Sequence, residues 1–345
     1  MTPKNFATLA IAAAVSLTAA LVIYSSSQSW QAAAAGGPLF AGLTRDGASV
    51  ARIAISQGDS RLTIEKSGER WLVKEKGGFP ASTEKVRSLL LALSDANLAE
   101  AKTRREASFN ILELEDPKDN AANSHLVQLA KADGTVLAET IVGKTRADAF
   151  GAGKAGTYVR RPGDVQTWLI DKEVVAGTKL SDWTRERLFD TSPEKIKSVT
   201  IATEGDTSFD ITRESDGRTF KLVRMPGGKK LKFANAADDI VDTLSSFNLN
   251  EARKLDSEAA KASTAAATGI ARLETDDGMK LYLKVRKDEA GHWMTLDASG
   301  VGNGMKSAAD LMALAAGWEF KIPAAQAERI FKKQADILED QTPSP

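Results

Sequence analysis

The chain has 345 residues, with 46 basic and 46 acidic side chains and therefore no formal net charge. Such a balance gives the whole chain no electrostatic attraction to nucleic acid or to an anionic membrane surface. The sequence has no cysteine and only two histidines, which excludes disulfides, thiol catalysis and thiolate metal sites and disfavours chemistry that depends on histidine.

The N-terminal segment, residues 6–24, reads FATLAIAAAVSLTAALVIY and carries no charge. As a helix it would be about 28 Å long, close to the apolar thickness of a bilayer. Lys4 precedes it, and the next charged residue is Arg45. This bias predicts a single membrane span with its N-terminus inside and the bulk of the chain outside. The alternative is a signal peptide cleaved at the alanines of residues 32–35.

An internal repeat follows this segment. Apolar residues alternate in three short runs and then recur at helical spacing from Val86 to Leu93, which predicts three antiparallel strands and an amphipathic helix. About 150 residues later the same order returns, ending in a helix from Ala237 to Leu244. Asp133-Gly134 and Asp277-Gly278 each mark a hairpin turn between apolar runs. The order of these landmarks predicts two tandem copies of one domain.

The repeat predicts an α+β fold, in which each copy is an antiparallel, strand-rich sheet with one main amphipathic helix, preceded by a transmembrane helix. The predicted organisation is an anchor and spacer over residues 1–40, a first domain over 41–190 and a second over 191–323. Residues 324–345 are predicted to form a C-terminal helix and a disordered tail. The low-complexity stretch 256–269 is predicted to be a mobile connection inside the second copy.

Three motifs resemble catalytic or nucleotide-binding signatures. Residues 138–145, AETIVGKT, fit a loose nucleotide-binding loop, and residues 151–156 fit GxGxxG. Both motifs require a strand before the loop and a helix after it, whereas the pattern here places them in a strand and in a hairpin loop. Ser82 and Lys85 fit SxxK, but the partner motifs do not follow in order, so Ser82 or Thr83 is interpreted as a helix cap.

Carboxylates cluster at three places: Glu113, Glu115 and Asp116; Asp238 and Asp239; Asp276 and Asp277. Paired carboxylates can perform acid–base chemistry when one of them is buried. The predicted positions, in a loop, on a helix edge and in a turn, favour solvated charges instead. Glu113 and Glu115 with His125 could bind a metal, although their spacing does not demand it. We therefore assign no catalytic, cofactor-binding or metal-binding residue and expect no cofactor.

With the repeat in view, the chain resembles a bacterial family known as domain of unknown function 4340. The resemblance rests on the Trp71-Leu-Val strand, the Phe79-Pro80-Ala81 helix start, the stretch Leu114–Pro117, the Gly143 turn and the strand 157–160. It implies a protein anchored by one N-terminal helix and associated with ABC-type export systems of the gliding-motility type. The second copy contains no counterpart of the acidic stretch Leu114–Pro117.

These observations predict a non-enzymatic auxiliary subunit in the bacterial inner membrane, with one membrane span and the bulk of the chain in the periplasm. Its expected partners are an ABC-type permease and ATPase, and it would act by binding protein or polymer rather than nucleic acid. One alternative is an exported glycan- or lipid-binding module released by signal cleavage. A second is an envelope hydrolase that uses one of the carboxylate pairs.

Overall fold

The computed structural model describes residues 36–255 and 267–340. The chain divides into two compact units. Among the described residues, one comprises those up to Trp71 together with Thr83–Thr178, and the other comprises Leu72–Ser82 together with those from Lys179 onward.

The first large sheet has nine antiparallel strands in the order β4-β3-β2-β1-β6-β7-β8-β9-β5. Their bounds are β1 Arg52–Gln57, β2 Ser60–Ser67, β3 Arg70–Val73, β4 Phe79–Pro80, β5 Leu98–Ala101, β6 His125–Ala130, β7 Val136–Arg146, β8 Gly156–Arg160 and β9 Thr167–Ile170.

The second large sheet has eight antiparallel strands in the order β13-β12-β11-β17-β18-β19-β20-β16, and two two-stranded ladders pair β10 with β15 and β14 with β21. The bounds are β10 Arg187–Asp190, β11 Ile196–Thr203, β12 Phe209–Arg213, β13 Phe220–Leu222, β14 Lys229–Leu231, β15 Ser246–Asn248, β16 Ala252–Lys254, β17 Ala267–Thr275, β18 Met279–Asp288, β19 Gly291–Gly300, β20 Trp318–Ile322 and β21 Leu338–Asp340.

Strand order is the same in the two large sheets when corresponding strands are matched. Apart from the additional edge strand β4 of the first sheet, each begins with a three-stranded meander, β3-β2-β1 or β13-β12-β11. Four further antiparallel strands follow in each sheet. The far edge is formed by β5, the first strand after the helix Thr83–Ser94, or by β16, the second strand after the helix Ala236–Leu244.

The helices are short, and two of them occupy the positions of the predicted amphipathic helices. The bounds are α1 Leu43–Asp46, α2 Thr83–Ser94, α3 Phe109–Leu112, α4 Leu180–Trp183, α5 Ala236–Leu244, α6 Gly304–Ala315, α7 Ala324–Ile330 and α8 Gln334–Ile337, and 3-10 turns lie at Gly47–Ser49, Lys74–Lys76, Glu106–Ser108 and Pro193–Lys195. Helix α2 buries Val86, Leu89 and Leu93, because these residues share one face at a spacing of three and four.

The α+β prediction is confirmed as antiparallel, strand-rich sheets with a few helices. Period-two patterning explains the strands: β18 buries Met279, Leu281, Leu283 and Val285 on one face and leaves the alternate residues more exposed. Asp133-Gly134 and Asp277-Gly278 lie at the β6–β7 and β17–β18 turns, where Gly134 and Gly278 adopt positive φ.

The C-terminal stretch differs from the predicted single helix. It forms α7 and α8 separated at Phe331, and then strand β21, which pairs with β14. A Cβ atom at Gly269 would lie within 2.2 Å of the Phe331 ring, so this ring packs directly on the β17 backbone. Packing of Phe331 against Gly269 turns the chain out of the helix, whereas local propensity would continue it.

Three other predictions fall wholly or partly outside the described residues. The predicted membrane segment, residues 6–24, lies outside them, as do residues 256–266 of the low-complexity stretch and the tail 341–345. Residues 267–269 of that stretch already belong to strand β17. Across residues 36–255 and 267–340, no helix is both long and apolar enough to cross a bilayer.

Candidate functional site

The eight-stranded sheet has one apolar face, which carries the buried residues of β18. Its opposite face is polar along four adjacent strands. Cross-strand pairing places Thr200, Arg272, Tyr282 and Asp297 side by side in one row. The neighbouring row consists of Ser198, Glu274, Lys280 and Ser299. Directly opposite side chains in such ladders lie about 4.5–5.5 Å apart between Cβ atoms, so these eight residues form one continuous surface.

This surface contains a groove of about 390 Å³, lined mainly by the two rows. The volume falls in the range of small-ligand sites, roughly 300–1,000 Å³. The Arg272 guanidinium lies 5.6 Å from the centre of the Tyr282 ring. At one side, Lys197 pairs with Glu274 at 3.3 Å, and Thr200 donates a hydrogen bond of 2.7 Å to Asp210. The groove therefore combines an aromatic ring, hydroxyl groups and charges of both signs.

A buried ionic cluster occupies the β16 edge of the same face. Glu319 on β20 has no exposed side-chain surface and accepts hydrogen bonds from Arg286 Nε at 3.0 Å and Nη2 at 2.6 Å. Arg253 on β16 also donates to Glu319 through Nε, and through Nη2 to Asp288 at 2.7 Å. The Arg253 guanidinium stacks 3.8 Å from the Trp293 ring centre. Each carboxylate is thus neutralised by a guanidinium, which holds β16, β18 and β20 together.

The pKa of Asp288 gives this cluster a pH dependence. Burial alone would raise that pKa, but the hydrogen bond and charge of Arg253 outweigh burial and hold it below the usual value. The stabilisation is complete above the unfolded value of about 3.9 and is lost as the pH falls through the lower folded pKa. We expect Asp288→Asn to lower the melting temperature at neutral pH and to matter progressively less in acid. If Asp288→Asn lowered the melting temperature by the same amount at every pH, this role of Asp288 would be contradicted.

Three of the motifs that carry the family resemblance meet at a different place, on the first sheet. The segment between β5 and β6 contains α3 and the stretch Leu114–Pro117. Phe109 and Leu114 of this segment are buried in one apolar cluster with Ile141, Tyr158 and Leu169. The segment therefore packs on a sheet face through its own apolar residues.

The side chain of Arg160 on β8 holds this segment in place through hydrogen bonds to the backbone carbonyl of Leu114. This side chain is buried and donates to the Leu114 carbonyl from Nε at 3.2 Å and from Nη2 at 3.1 Å. Nη1 donates to the Asp164 carbonyl at 3.1 Å, and the guanidinium lies 4.6 Å from the Phe109 ring centre. Burial lowers the pKa of Arg160 and the nearby acids Asp116, Glu106 and Asp164 partly offset this, but an arginine remains charged throughout the accessible pH range.

Gly143 is the third member of the same arrangement. A Cβ atom added there would lie 2.3 Å from the Leu112 carbonyl oxygen and 2.7 Å from that of Glu113. Only glycine allows this backbone approach. Gly143, which lies inside strand β7 and not in the predicted turn, thus forms one contact with the Arg160 strand and the Leu114–Pro117 stretch, and this contact positions a segment of chain.

The motifs that resembled catalytic signatures lie in regular structure or loops. Residues 138–145 fall inside the continuous strand β7, residues 151–155 lie in the loop that connects β7 to β8, and residue 156 is the first of β8. Helix α2 begins at Thr83, directly after Ser82. A nucleotide-binding loop needs free backbone amides ahead of a helix, and a strand in a ladder does not supply them.

The three carboxylate clusters are dispersed over the fold. Asp116 accepts from the Lys118 amide, and Asp238 accepts from the Phe220 amide at 2.7 Å. Asp276 pairs with Arg213 through contacts of 2.8 and 2.6 Å, and Asp277 accepts from Thr275 within its turn. Within the described ranges, no group of three His, Asp or Glu side chains could hold a metal ion, and this includes Glu113, Glu115 and His125.

Sequence patterns did not identify the ionic cluster or the groove. Arg286 and Glu319 occupy alternate positions of apolar strands, which is also the pattern of a solvent-exposed face. Glu319 is paired with Arg253 of β16, which lies 66 residues earlier in the chain. Local sequence patterns do not specify which strands pair or in what register. The only local signal is the run of charged residues 286–289 ahead of Trp293.

Comparison with known proteins gives one family. The profile of the family described as Domain of unknown function (DUF4340) matches residues 71–271, which is more than half of the chain. A search of curated proteins gave no match.

Proposed function

The chain belongs to the DUF4340 family, and from this premise we propose that it is a non-enzymatic, membrane-anchored periplasmic subunit of an ABC-type export system. Its domains would bind a partner protein or an exported polymer, beside a permease and its ATPase. The gliding-motility type of transporter is the class of system that we propose.

The open groove on the second sheet is the observation that carries this proposal. Its residues come from four adjacent strands, so the sheet holds them rigidly and presents them on one face. Hydroxyl groups, two cations, two carboxylates and one aromatic ring offer hydrogen bonds and stacking contacts. Such a surface suits recognition of a polar chain or of a polar protein surface.

The use of the carboxylates also supports binding over acid–base chemistry. Asp238 and Asp277 accept hydrogen bonds from backbone or hydroxyl donors, and Asp276 is held by Arg213. A general acid at neutral pH needs a buried carboxyl with a raised pKa. The hydrogen bond from Thr275 instead holds the pKa of Asp277 below its usual value.

Membrane attachment would come from the apolar segment at residues 6–24. Tethering confines the domains to a thin layer next to membrane partners and raises their effective concentration, so individually weak contacts suffice. A duplicated domain would provide two binding surfaces on one anchor.

A pull-down from native membranes tests the proposal. The full-length tagged chain, extracted in mild detergent, should recover an ABC-type permease and ATPase, identified by mass spectrometry. Replacing residues 1–30 by a cleavable signal should abolish that recovery. A chain that is isolated alone from the soluble periplasmic fraction, cut near Ala35, would contradict the proposal.

The groove is tested in the same pull-down. We expect the double change Tyr282→Ala with Asp297→Ala to reduce partner recovery severalfold. The matched control is Val136→Ala with Lys144→Ala, which alters two exposed strand residues of the first sheet. Equal recovery with both variants would exclude the groove as the binding surface.

A second candidate is an exported glycan-binding module, favoured by the Tyr282 ring among the groove hydroxyls. It predicts retention of the chain on envelope polysaccharide and loss of that retention in Tyr282→Ala. The hydrolase alternative predicts release of soluble sugar from the same material, together with loss of this activity when Asp276 and Asp277 are changed to Asn.

A further inference from the structure

Residues 223–233 combine exposed apolar side chains with basic charge. The segment reads VRMPGGKKLKF and contains four basic residues and no acidic residue. Acidic residues are in fact absent from the whole stretch 217–237. In a chain whose charges balance overall, this is a strong local asymmetry.

The structure exposes the apolar residues of this segment. Phe233 is 67% exposed, Val223 is 53% exposed and Met225 is 42% exposed. The chain leaves β13 at Val223 and reverses at Pro226–Gly228, where the Lys229 amide donates to the Pro226 carbonyl at 3.1 Å. Gly228 adopts a φ of +73° at this reversal. The apolar residues therefore flank an exposed turn.

Ion pairs divide the basic residues into two groups. Lys229 pairs with Asp340 at 2.6 Å and Lys230 pairs with Glu339 at 3.2 Å, both across the β14–β21 ladder. These pairs fix the base of the turn. Within the described ranges, Arg224 and Lys232 make no ion pair, so their charges are available beside Met225 and Phe233.

We propose that residues 223–233 form a surface that contacts anionic phospholipid, with Met225 and Phe233 entering the headgroup layer and Arg224 and Lys232 meeting lipid phosphates. Interfacial binding elements combine these two features, an apolar side and a basic side. The inference rests on the membrane tethering in the proposed function, but not on the ABC-type partners.

Charge complementarity favours lipid over a protein partner. Two uncompensated cations, Arg224 next to the exposed Met225 and Lys232 next to the exposed Phe233, match a surface that has anionic phosphates outside and apolar chains beneath them. So small a surface binds weakly by itself. A tether at the N-terminus would remove the need for high affinity, because the surface would then act within one molecule.

The absence of cysteine from the sequence allows a direct test. Phe233→Cys, labelled with a polarity-sensitive fluorophore, is prepared in the full-length chain and reconstituted with vesicles. One set of vesicles is phosphatidylcholine alone, and the other is phosphatidylcholine with phosphatidylglycerol. We expect a blue shift of the label, and quenching by spin-labelled lipid, only where phosphatidylglycerol is present.

Two controls separate this contact from anchoring. Ile111→Cys replaces a residue with a similar exposed fraction, 61%, and its label should not shift. Arg224→Glu with Lys232→Glu should remove the shift at position 233, whereas Arg104→Glu with Arg105→Glu makes the same charge change elsewhere and should not. Salt of about 1 M, which shortens the Debye length to about 3 Å, should also reverse the shift.

Flotation of the vesicles distinguishes the possible failures. If the chain floats with both kinds of vesicle but the label at position 233 stays in water, the anchor is supported and the lipid surface is overturned in favour of a protein-binding surface. If the chain floats with neither, both proposals are overturned. Flotation with phosphatidylglycerol vesicles alone, lost in the Arg224 and Lys232 variant, would support the surface and overturn the anchor.

Discussion

Glu319→Gln should lower the free energy of unfolding by about 3–5 kcal/mol, the usual effect of removing one partner from a buried ion pair. The Glu319 side chain is fully buried and accepts from Arg253 and from two nitrogens of Arg286. Glutamine has nearly the same shape but carries an NH2 group where a carboxylate oxygen accepted a hydrogen bond. Urea unfolding of the purified chain, with the slope compared between variants, measures the difference.

An exposed ion pair on the same sheet provides the control. Glu274 pairs with Lys197 at 3.3 Å, and the two side chains are 34% and 60% exposed. Glu274→Gln should therefore change the free energy of unfolding by about 0–1 kcal/mol. Equal effects at Glu274 and Glu319 would mean that burial does not determine the strength of the cluster.

A quadruple change tests whether the cluster stabilises the fold or only avoids a buried unpaired charge. Replacing Glu319 by Leu, both Arg253 and Arg286 by Met, and Asp288 by Asn removes all the charges of the cluster, so that no carboxylate is left without its guanidinium. Because apolar substitutes for buried ion pairs are often neutral or stabilising, this variant should be more stable than Glu319→Gln alone. If it is less stable, the hydrogen bonds themselves are the main contribution.

The spacing of apolar residues was sufficient to predict most strands and the two repeat helices. Alternation at residues such as Ile53 and Ile55, or Val199 and Ile201, predicts strands that the structure contains as β1 and β11. The Asp133-Gly134 turn needs a residue that adopts positive φ, which marks it clearly in the sequence. These signals depend on neighbouring residues only.

The pairing of strands that are distant in sequence could not be predicted from local patterns. Strands β5 and β16 cross to the far edges of their sheets to pair with β9 and β20, and neither sequence pattern nor turn chemistry specifies those partners. The break at Phe331 depends on contact with Gly269, 62 positions earlier in the chain. The groove likewise exists only because four separate strands align Thr200, Arg272, Tyr282 and Asp297 in register.

The family motifs illustrate the difference between marking a fold and marking a site. Leu114, Gly143 and Arg160 were recognisable in sequence, and the structure brings them into one contact. That contact consists of backbone carbonyls, a guanidinium and apolar packing. These three motifs therefore report how the segment between β5 and β6 is held.

Arg160→Met should lower the free energy of unfolding by about 2–4 kcal/mol, combining the loss of buried hydrogen bonds with the loss of the cation–π contact. Methionine keeps much of the apolar stem, but the Leu114 and Asp164 carbonyls lose their donor. The segment between β5 and β6 should then open before the rest of the unit. Hydrogen exchange at the Leu114 amide, which is bonded to the Phe109 carbonyl at 2.9 Å, reports this opening.

Neighbouring substitutions show whether the effect belongs to this contact. Arg161→Met removes a partly exposed donor to the Leu39 carbonyl and should cost about 1 kcal/mol or less, without faster exchange at Leu114. Gly143→Ala leaves every donor in place but drives a methyl group into the Leu112 carbonyl, so it should reproduce the fast exchange. If Arg160→Met destabilised the chain while the Leu114 amide stayed protected, Arg160 would stabilise the sheet rather than this segment.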